Sequence, residues 1–320
     1  MSDTVLVTGG LGYVGGRISS ALLANSRFSL RAAANRQAST IPAWISAGSV
    51  VPLDLRNDDQ IAAACRGVRT VVHLAALNEI DSAADPEQAL LVNTLGTMKL
   101  LRSAVSAGVE RFIYFSTAHV YKAPLEGAIS EQNITRPVHP YATTHRAAED
   151  YVLAAHDQGQ LTGIVLRLSN GFGAPAHASV NRWTLIANDL CRQAVTTKQL
   201  VLRSSGLQRR DFVTLTDIVR AVLHFVDIDR NRCGDGLFNL GGRCPLRIID
   251  LTERIADRCK TVLGFRPDIS RPAPRPDETS PELDYQIDKL LGTGFTLAGS
   301  IDAEIDATLR LCRDQFGAAL

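Results

Sequence analysis

The chain has 320 residues, room for about two domains. Hydrophobic residues make up 45% and charged residues 21%, a balance that supplies a large core and excludes global disorder. With 34 basic and 33 acidic side chains there is no bulk electrostatic drive toward nucleic acid or an anionic membrane, and no apolar run reaches the roughly 18 residues of a membrane span.

The first half alternates short apolar runs with amphipathic stretches. Thr4–Thr8 reads as a buried strand leading into a glycine cluster. Val14, Ile18, Ala21 and Leu22 then recur at helical spacing. Further strands are expected at Ser29–Ala34, Ser49–Leu53, Thr70–Leu74, Arg111–Ser116 and Gly163–Leu168, with long helices at Pro86–Ala107 and Tyr141–Leu153. Strands separated by helices imply right-handed crossovers. The fold predicted is therefore α/β, with a doubly wound parallel Rossmann sheet over residues 1–170.

After Asn170 the rhythm breaks: Gly, Pro and Arg become frequent and the elements shorten. Arg271-Pro272-Ala273-Pro274-Arg275-Pro276 is a stiff, extended segment. Residues 171–320 read as a smaller, mixed α/β substrate-binding domain, with segments around 209–240 returning to the Rossmann core. The N-terminus runs straight into Val5-Leu6-Val7 with no signal-peptide pattern. Six scattered cysteines, without a C-x-x-C pair, read as reduced thiols of a cytoplasmic protein. No H-E-x-x-H spacing is present, so no metal site is expected.

The glycine cluster carries chemistry. Gly9, Gly12 and Gly15 lie between the first strand and the first helix. The first allows a tight turn, the second lets the backbone approach a pyrophosphate, and the third lets helix and sheet pack closely. The helix start, with Tyr13 and Val14, then offers free N–H groups and a partial positive charge to phosphate. The segment after the second strand, Ala34-Asn35-Arg36, has no acid to hold a ribose 2′-hydroxyl. Arg36 either meets a 2′-phosphate or is a solvated surface residue. The reading leans toward NADP and leaves NAD open.

Taken together, the motifs resemble the extended short-chain dehydrogenase/reductase family, the NAD(P)-dependent epimerase/dehydratase group, over nearly the whole chain. The resemblance places Asp54, followed by Leu55, near the adenine, and the segment His73-Leu74-Ala75-Ala76 along the cofactor. Asn93, with Gly96 and Thr97, resembles the family's N-x-x-G-T helix, and the resemblance implies that Asn93 binds the cofactor. Phe115-Ser116-Thr117-Ala118-His119-Val120-Tyr121 resembles the segment carrying the catalytic Ser or Thr, here Thr117. Pro140-Tyr141, with Glu149 further along, resembles the catalytic helix. Arg167 to Gly173, Arg210-Asp211-Phe212-Val213 with Asp217, and Arg275-Pro276-Asp277 complete the pattern. Substrate contacts are implied for Thr117, Asn170, Arg210 and Arg275. Guanidinium groups suit a nucleotide-sugar diphosphate, against the blander reading of surface ion pairs. A homodimer through the two long helices is implied by the same analogy.

The implied reaction moves a hydride between a nicotinamide and a carbinol carbon, with Tyr141 as acid or base and Thr117 holding the same oxygen. Tyr121 and His73 read as packing residues. One departure stands out. Where the family has Y-x-x-x-K, this chain has Tyr141 and His145. His145 contributes to cofactor binding and catalysis on this reading, and three outcomes stay open: an active enzyme with altered pH dependence, a slow enzyme, or a non-catalytic dinucleotide-binding protein. Family dehydratases carry Asp-Glu after the catalytic Thr. Here Ala118 and His119 stand there, so 4,6-dehydration is disfavoured. Epimerisation or net ketone reduction on a nucleotide sugar is expected, and reduction of a non-sugar ketone is the further alternative.

Overall fold

The computed structural model describes residues 3–35 and 41–317. Its centre is a seven-stranded parallel sheet. In chain order the strands are β1 (Asp3–Thr8), β2 (Phe28–Ala34), β3 (Val50–Pro52), β4 (Thr70–His73), β5 (Arg111–Thr117), β6 (Thr162–Leu168) and β7 (Leu237–Leu240). They lie side by side as β7-β6-β5-β4-β1-β2-β3. Helices cover both faces, so the strands are continuous apolar runs; Val5, Leu6 and Val7, and again Ile164, Val165 and Leu166, are buried completely.

From β1 the chain winds outward to β2 and β3, then returns past β1 to β4 and winds the other way. The reversal leaves a crevice outside the carboxyl ends of β1 and β4, where ligands bind in such sheets. One expected boundary is corrected. The stretch Pro86–Ala107 is not one α-helix: an α-helical turn (Pro86–Ala89) runs into a π-helical segment (Leu90–Leu95) and then an α-helix (Gly96–Ser106). Within the 209–240 stretch expected to return to the core, β7 pairs in parallel with β6, starting at Leu237 opposite Val165.

Beyond β6, the strand Arg209–Thr214 pairs with Asn170–Phe172 and Pro245–Arg247 in a small separate sheet. The helices Ile186–Thr196, Ile248–Leu263 and Ile301–Phe316 pack around a second core containing Leu190, Phe212, Leu251, Ile255 and Leu309. A part-buried ion pair ties this region to the first helix (Tyr13–Leu23). Arg17 Nη2 lies 3.0 Å from Glu304 Oε1, and the same carboxylate accepts the Thr216 backbone N–H at 2.9 Å.

Candidate active site

The glycine turn starts the site. Gly9 adopts φ +66°, and a Cβ there would sit 3.3 Å from the Ala75 backbone N. A Cβ on Gly15 would fall 2.2 Å from the Gly9 carbonyl oxygen. Neither position admits a side chain without moving the loop. The helix begins at Gly12 with no side-chain cap, so its first-turn N–H groups are left for an anion. Gly9, Gly12, Tyr13, Val14 and Gly15 all line a cleft of about 1150 Å³. The cradle fits a dinucleotide pyrophosphate.

A buried chain of hydrogen bonds fixes the neighbouring turn. Thr97 Oγ1 donates to the Asn93 carbonyl, so it accepts from His73 Nε2 at 2.8 Å. His73 Nδ1 is then the acceptor for Thr8 Oγ1 at 2.6 Å, and Thr8 Oγ1 in turn accepts the Leu74 and Ala75 N–H groups, each at 3.1 Å. Burial pushes the His73 pKa down to about 3, consistent with one neutral tautomer. Leu74, Ala75 and Ala76 are thereby set along the cleft wall.

Asn35, Asp54, Leu55 and Arg56 also line the cleft. Arg56 grips Asp54, Nη2 to Oδ2 at 2.7 Å, and that hydrogen bond holds the Asp54 carboxyl below its usual range. Arg56 escaped the sequence reading, although it lies two residues beyond Asp54. Arg36 lies outside the described residues.

Thr117 and Tyr141 line the same cleft. Thr117 ends β5, and its Oγ1 also accepts the His119 N–H at 3.2 Å, so the hydroxyl both caps a turn and lines the cleft. Tyr141 opens the helix Pro140–Asp157; the His139 ring, at the cap position, accepts its N–H at 3.2 Å. No side chain among the described residues hydrogen-bonds Tyr141 Oη. Burial, then the nearby Glu79 carboxylate, push its pKa well above the ordinary phenol value. The same helix is anchored from below. Glu149, two turns on, receives Ser116 Oγ at 2.5 Å and Arg167 Nη2 at 2.7 Å, both side chains of the ion pair being buried.

His145 is buried beside Tyr141, ring centroids 4.2 Å apart, and lines the cleft. Its Nδ1 is 2.9 Å from the Tyr141 carbonyl. A carbonyl only accepts, so the hydrogen sits on Nδ1. Burial lowers the pKa to about 4, and the ring is neutral near pH 7. Burial thus works against a cationic role for this ring.

Asn93 is a correction. It does not line the cleft; it is buried, its Oδ1 accepting the Leu77 N–H at 2.8 Å and its Nδ2 donating to Thr144 Oγ1 at 3.0 Å. Its role is to hold the loop after β4 against the Tyr141 helix. The π-helical segment turns both Asn93 and Thr94 inward, and Thr94 Oγ1 donates to the Thr144 carbonyl at 2.9 Å.

On the far side, Asn170 and Arg210 line the cleft. Asn170 Nδ2 donates to the Asp211 carbonyl at 3.0 Å. Arg210 has no carboxylate partner among the described residues, only a long 3.4 Å contact with Gln208, and burial lowers its pKa. It is a desolvated cation facing a ligand cleft. Arg275 is the second correction: it is exposed, in the extended segment, and does not line the cleft. Further cleft residues were given no site role by the sequence reading. Glu79 and Arg182 form an ion pair at 3.5 Å, and His119, whose pKa is lowered by burial and then by Arg210, lies on the same wall. Only the proximity of His119 to Thr117 was visible in the sequence.

This sheet order, glycine turn and threonine–tyrosine pair define the extended short-chain dehydrogenase/reductase class. Residues 5–241 match the model of the NAD dependent epimerase/dehydratase family, and the chain belongs to that family. It is 30% identical over 295 residues to dTDP-6-deoxy-L-talose 4-dehydrogenase (NAD(P)(+)) of Kitasatospora kifunensis, covering 88% of this chain and 86% of the relative. It is 28% identical over 194 residues to dTDP-D-glucose 4,6-dehydratase of Mus musculus, covering 59% of this chain and about half, 52%, of that protein. UDP-glucuronic acid 4-epimerase from Bacillus cereus, solved with NAD, superposes with a TM-score of 0.81 at 22% identity, covering 99% of this chain and 98% of that one.

Proposed function

We propose that this protein is an NAD(P)-dependent ketoreductase or epimerase acting on a sugar carbon of a nucleotide sugar, with Tyr141 as the acid/base and Thr117 steadying the reacting oxygen. One observation carries the reading: the glycine turn, Thr117, Tyr141 and Arg210, which has no carboxylate partner among the described residues, all line one continuous cleft. When bound, the cofactor supplies a hydride to a carbonyl carbon or accepts one from a carbinol. The protein's part is to hold the pyrophosphate at Gly9, Gly12 and Gly15, align the adenosine against Asn35, Asp54 and Leu55, and grip the substrate diphosphate with Arg210. The Kitasatospora relative, a 4-dehydrogenase by name, supports the sugar-carbonyl chemistry.

Finer assignments belong to the same proposal. NADP is favoured over NAD because no acid follows β2 at Ala34-Asn35. Dehydration at C4 and C6 is disfavoured because Ala118 is buried and the turn after Thr117 offers an imidazole, His119, where an acid pair would be needed. The same proposal divides the chain into residues 1–170 and 171–320 and gives it a cytoplasmic location. A homodimer is supported by Ile80, Leu90, Leu91, Leu95 and Tyr151, exposed apolar side chains on mutually packed helical segments. A second reading, a dinucleotide-binding protein without turnover, is favoured by the neutral His145.

The test incubates pure protein with NADPH or NADH and a panel of UDP- and dTDP-linked sugars and keto-sugars, reading 340 nm absorbance and product. Turnover that disappears in Tyr141→Phe supports the enzyme. Dinucleotide binding without any turnover supports the second reading.

A further inference from the structure

We propose that Glu79 and Arg182 are specificity-determining residues that read the hydroxyl groups of the substrate's sugar, Glu79 accepting hydrogen bonds and Arg182 donating them. This deepens the reading above and rests on it.

The two side chains reach the cleft from distant parts of the chain. Glu79 opens the helix Glu79–Ala84, and Arg182 lies on the loop before Ile186. Both line the cleft that Thr117 and Tyr141 line. Both backbones are fixed. Before the helix, Asn78 Oδ1 accepts the Ile80 and Asp81 N–H groups at 2.9 and 3.0 Å, and Asn93 holds the Leu77 N–H. On the loop, the Arg182 N–H donates to the Val180 carbonyl at 2.9 Å, and the Arg182 carbonyl accepts Asn188 Nδ2 at 3.2 Å. Asn188 Oδ1 in turn accepts the Tyr13 hydroxyl at 3.2 Å, which ties the loop to the glycine turn. Such supports hold a recognition group in place before its ligand arrives.

The side chains themselves are left with their bonding capacity. They approach to 3.5 Å as an ion pair, with Glu79 45% and Arg182 29% exposed, and neither side chain makes a hydrogen bond among the described residues. A part-exposed pair at this separation adds little to stability, so packing does not account for two charges on a cleft surface. A carboxylate only accepts hydrogen bonds and a guanidinium only donates them. A hydroxyl does both, and neighbouring hydroxyls of a sugar ring fill both side chains at once. A phosphate has no hydrogen to offer Glu79 and is repelled by it, so the substrate diphosphate belongs with Arg210. Glu79 lies near enough to Tyr141, His145 and His119 for its charge to act on all three. The hydroxyls it reads are then those on carbons flanking the reacting one. The ligand class is a neutral, hydroxylated sugar, because a sugar lacking those hydroxyls strips water from the carboxylate and gives no bond in return.

The experiment measures, by isothermal titration of the purified protein, affinity for UDP and UDP-glucose and for dTDP and dTDP-glucose, in wild type, Glu79→Ala and Arg182→Ala. In the wild type the glucosyl group should add about tenfold or more to the affinity of the nucleotide that binds, the scale of a hydrogen bond to a charged group. Each substitution should remove most of that gain and leave the free nucleotide within about twofold. A gain that survives intact in both variants overturns the proposal, and so does a wild type to which glucose adds nothing. An equal loss for nucleotide and glucoside also overturns it, and assigns the pair to a clasp between helix and loop. Circular dichroism melting checks that the variants fold; should one fail, the other and the wild-type comparison decide. A wild type that binds neither nucleotide nor glucoside defeats the nucleotide-sugar reading itself and this proposal with it, a result distinct from the others.

Discussion

Glu149 and Arg167 form a bidentate pair beside the Tyr141 helix, Nη2 to Oε2 at 2.7 Å and Nε to Oε1 at 3.0 Å, with both side chains removed from solvent. The pair joins the Tyr141 helix to β6, while Ser116 adds β5. Arg167 also lies over the Tyr121 ring, 4.7 Å from its centroid. Glu149→Ala leaves a guanidinium buried without its counter-charge and is expected to destabilise the fold by about 3–5 kcal/mol. Urea unfolding of the purified variant measures this; a loss under about 1 kcal/mol would contradict the anchoring role.

Two histidines make stability fall on mild acidification. Burial pushes the pKa values of His73 and His145 down to about 3 and about 4, below the ordinary imidazole value of 6.5. A depressed value means that the unfolded chain binds the proton first. Their contribution is therefore complete above pH 6.5 and is lost as pH drops toward 4. Each contributes a slope of up to about 1.4 kcal/mol per pH unit in that window. Denaturant curves at pH 7, 6 and 5 read the combined slope, and His145→Gln should remove about half of it. A flat profile would show that neither ring is held neutral.

Arg210→Ala should weaken binding of UDP or dTDP roughly 10- to 100-fold, the scale of a lost charge-assisted bond. NADPH affinity should stay within about twofold, because the pyrophosphate cradle is elsewhere in the cleft. Arg275→Ala should alter neither. Isothermal titration of both nucleotides and NADPH against each variant checks the contrast.

Gly15→Ala places a methyl group 2.2 Å from the Gly9 carbonyl, so the loop must shift away from its phosphate-binding form. Dinucleotide affinity should fall at least about tenfold. Gly48→Ala, whose added methyl meets nothing within 4 Å, is the control. Quenching of NADPH fluorescence distinguishes the two.

Much of the frame was legible because buried parallel strands are written as unbroken apolar runs, and Val5 to Val7 or Ile164 to Leu166 announce themselves. The glycine turn was legible because its spacing is a steric requirement of one short segment. What escaped depends on distant packing. Asn93 reads as a ligand-facing amide until the π-helical segment turns it onto Leu77 and Thr144. Glu79 and Arg182 are far apart in sequence and ordinary in composition, and only the fold brings them to 3.5 Å. Arg275 matched a motif, yet the Pro-rich segment carries it into solvent. The charge of His145 is likewise a property of burial, which no spacing encodes.

The π-helical segment has a bearing on how this helix tolerates change. A π turn adds a residue to the repeat, and each residue of an α-helix advances the azimuth by about 100°. Deleting any one residue from Leu90–Leu95 would bring the stretch into ordinary phase. Leu90 and Leu91 would then swing around the axis relative to Gly96 and Thr97, and Asn93 and Thr94 would no longer face Thr144 together. Length, more than identity, is the quantity this stretch must conserve.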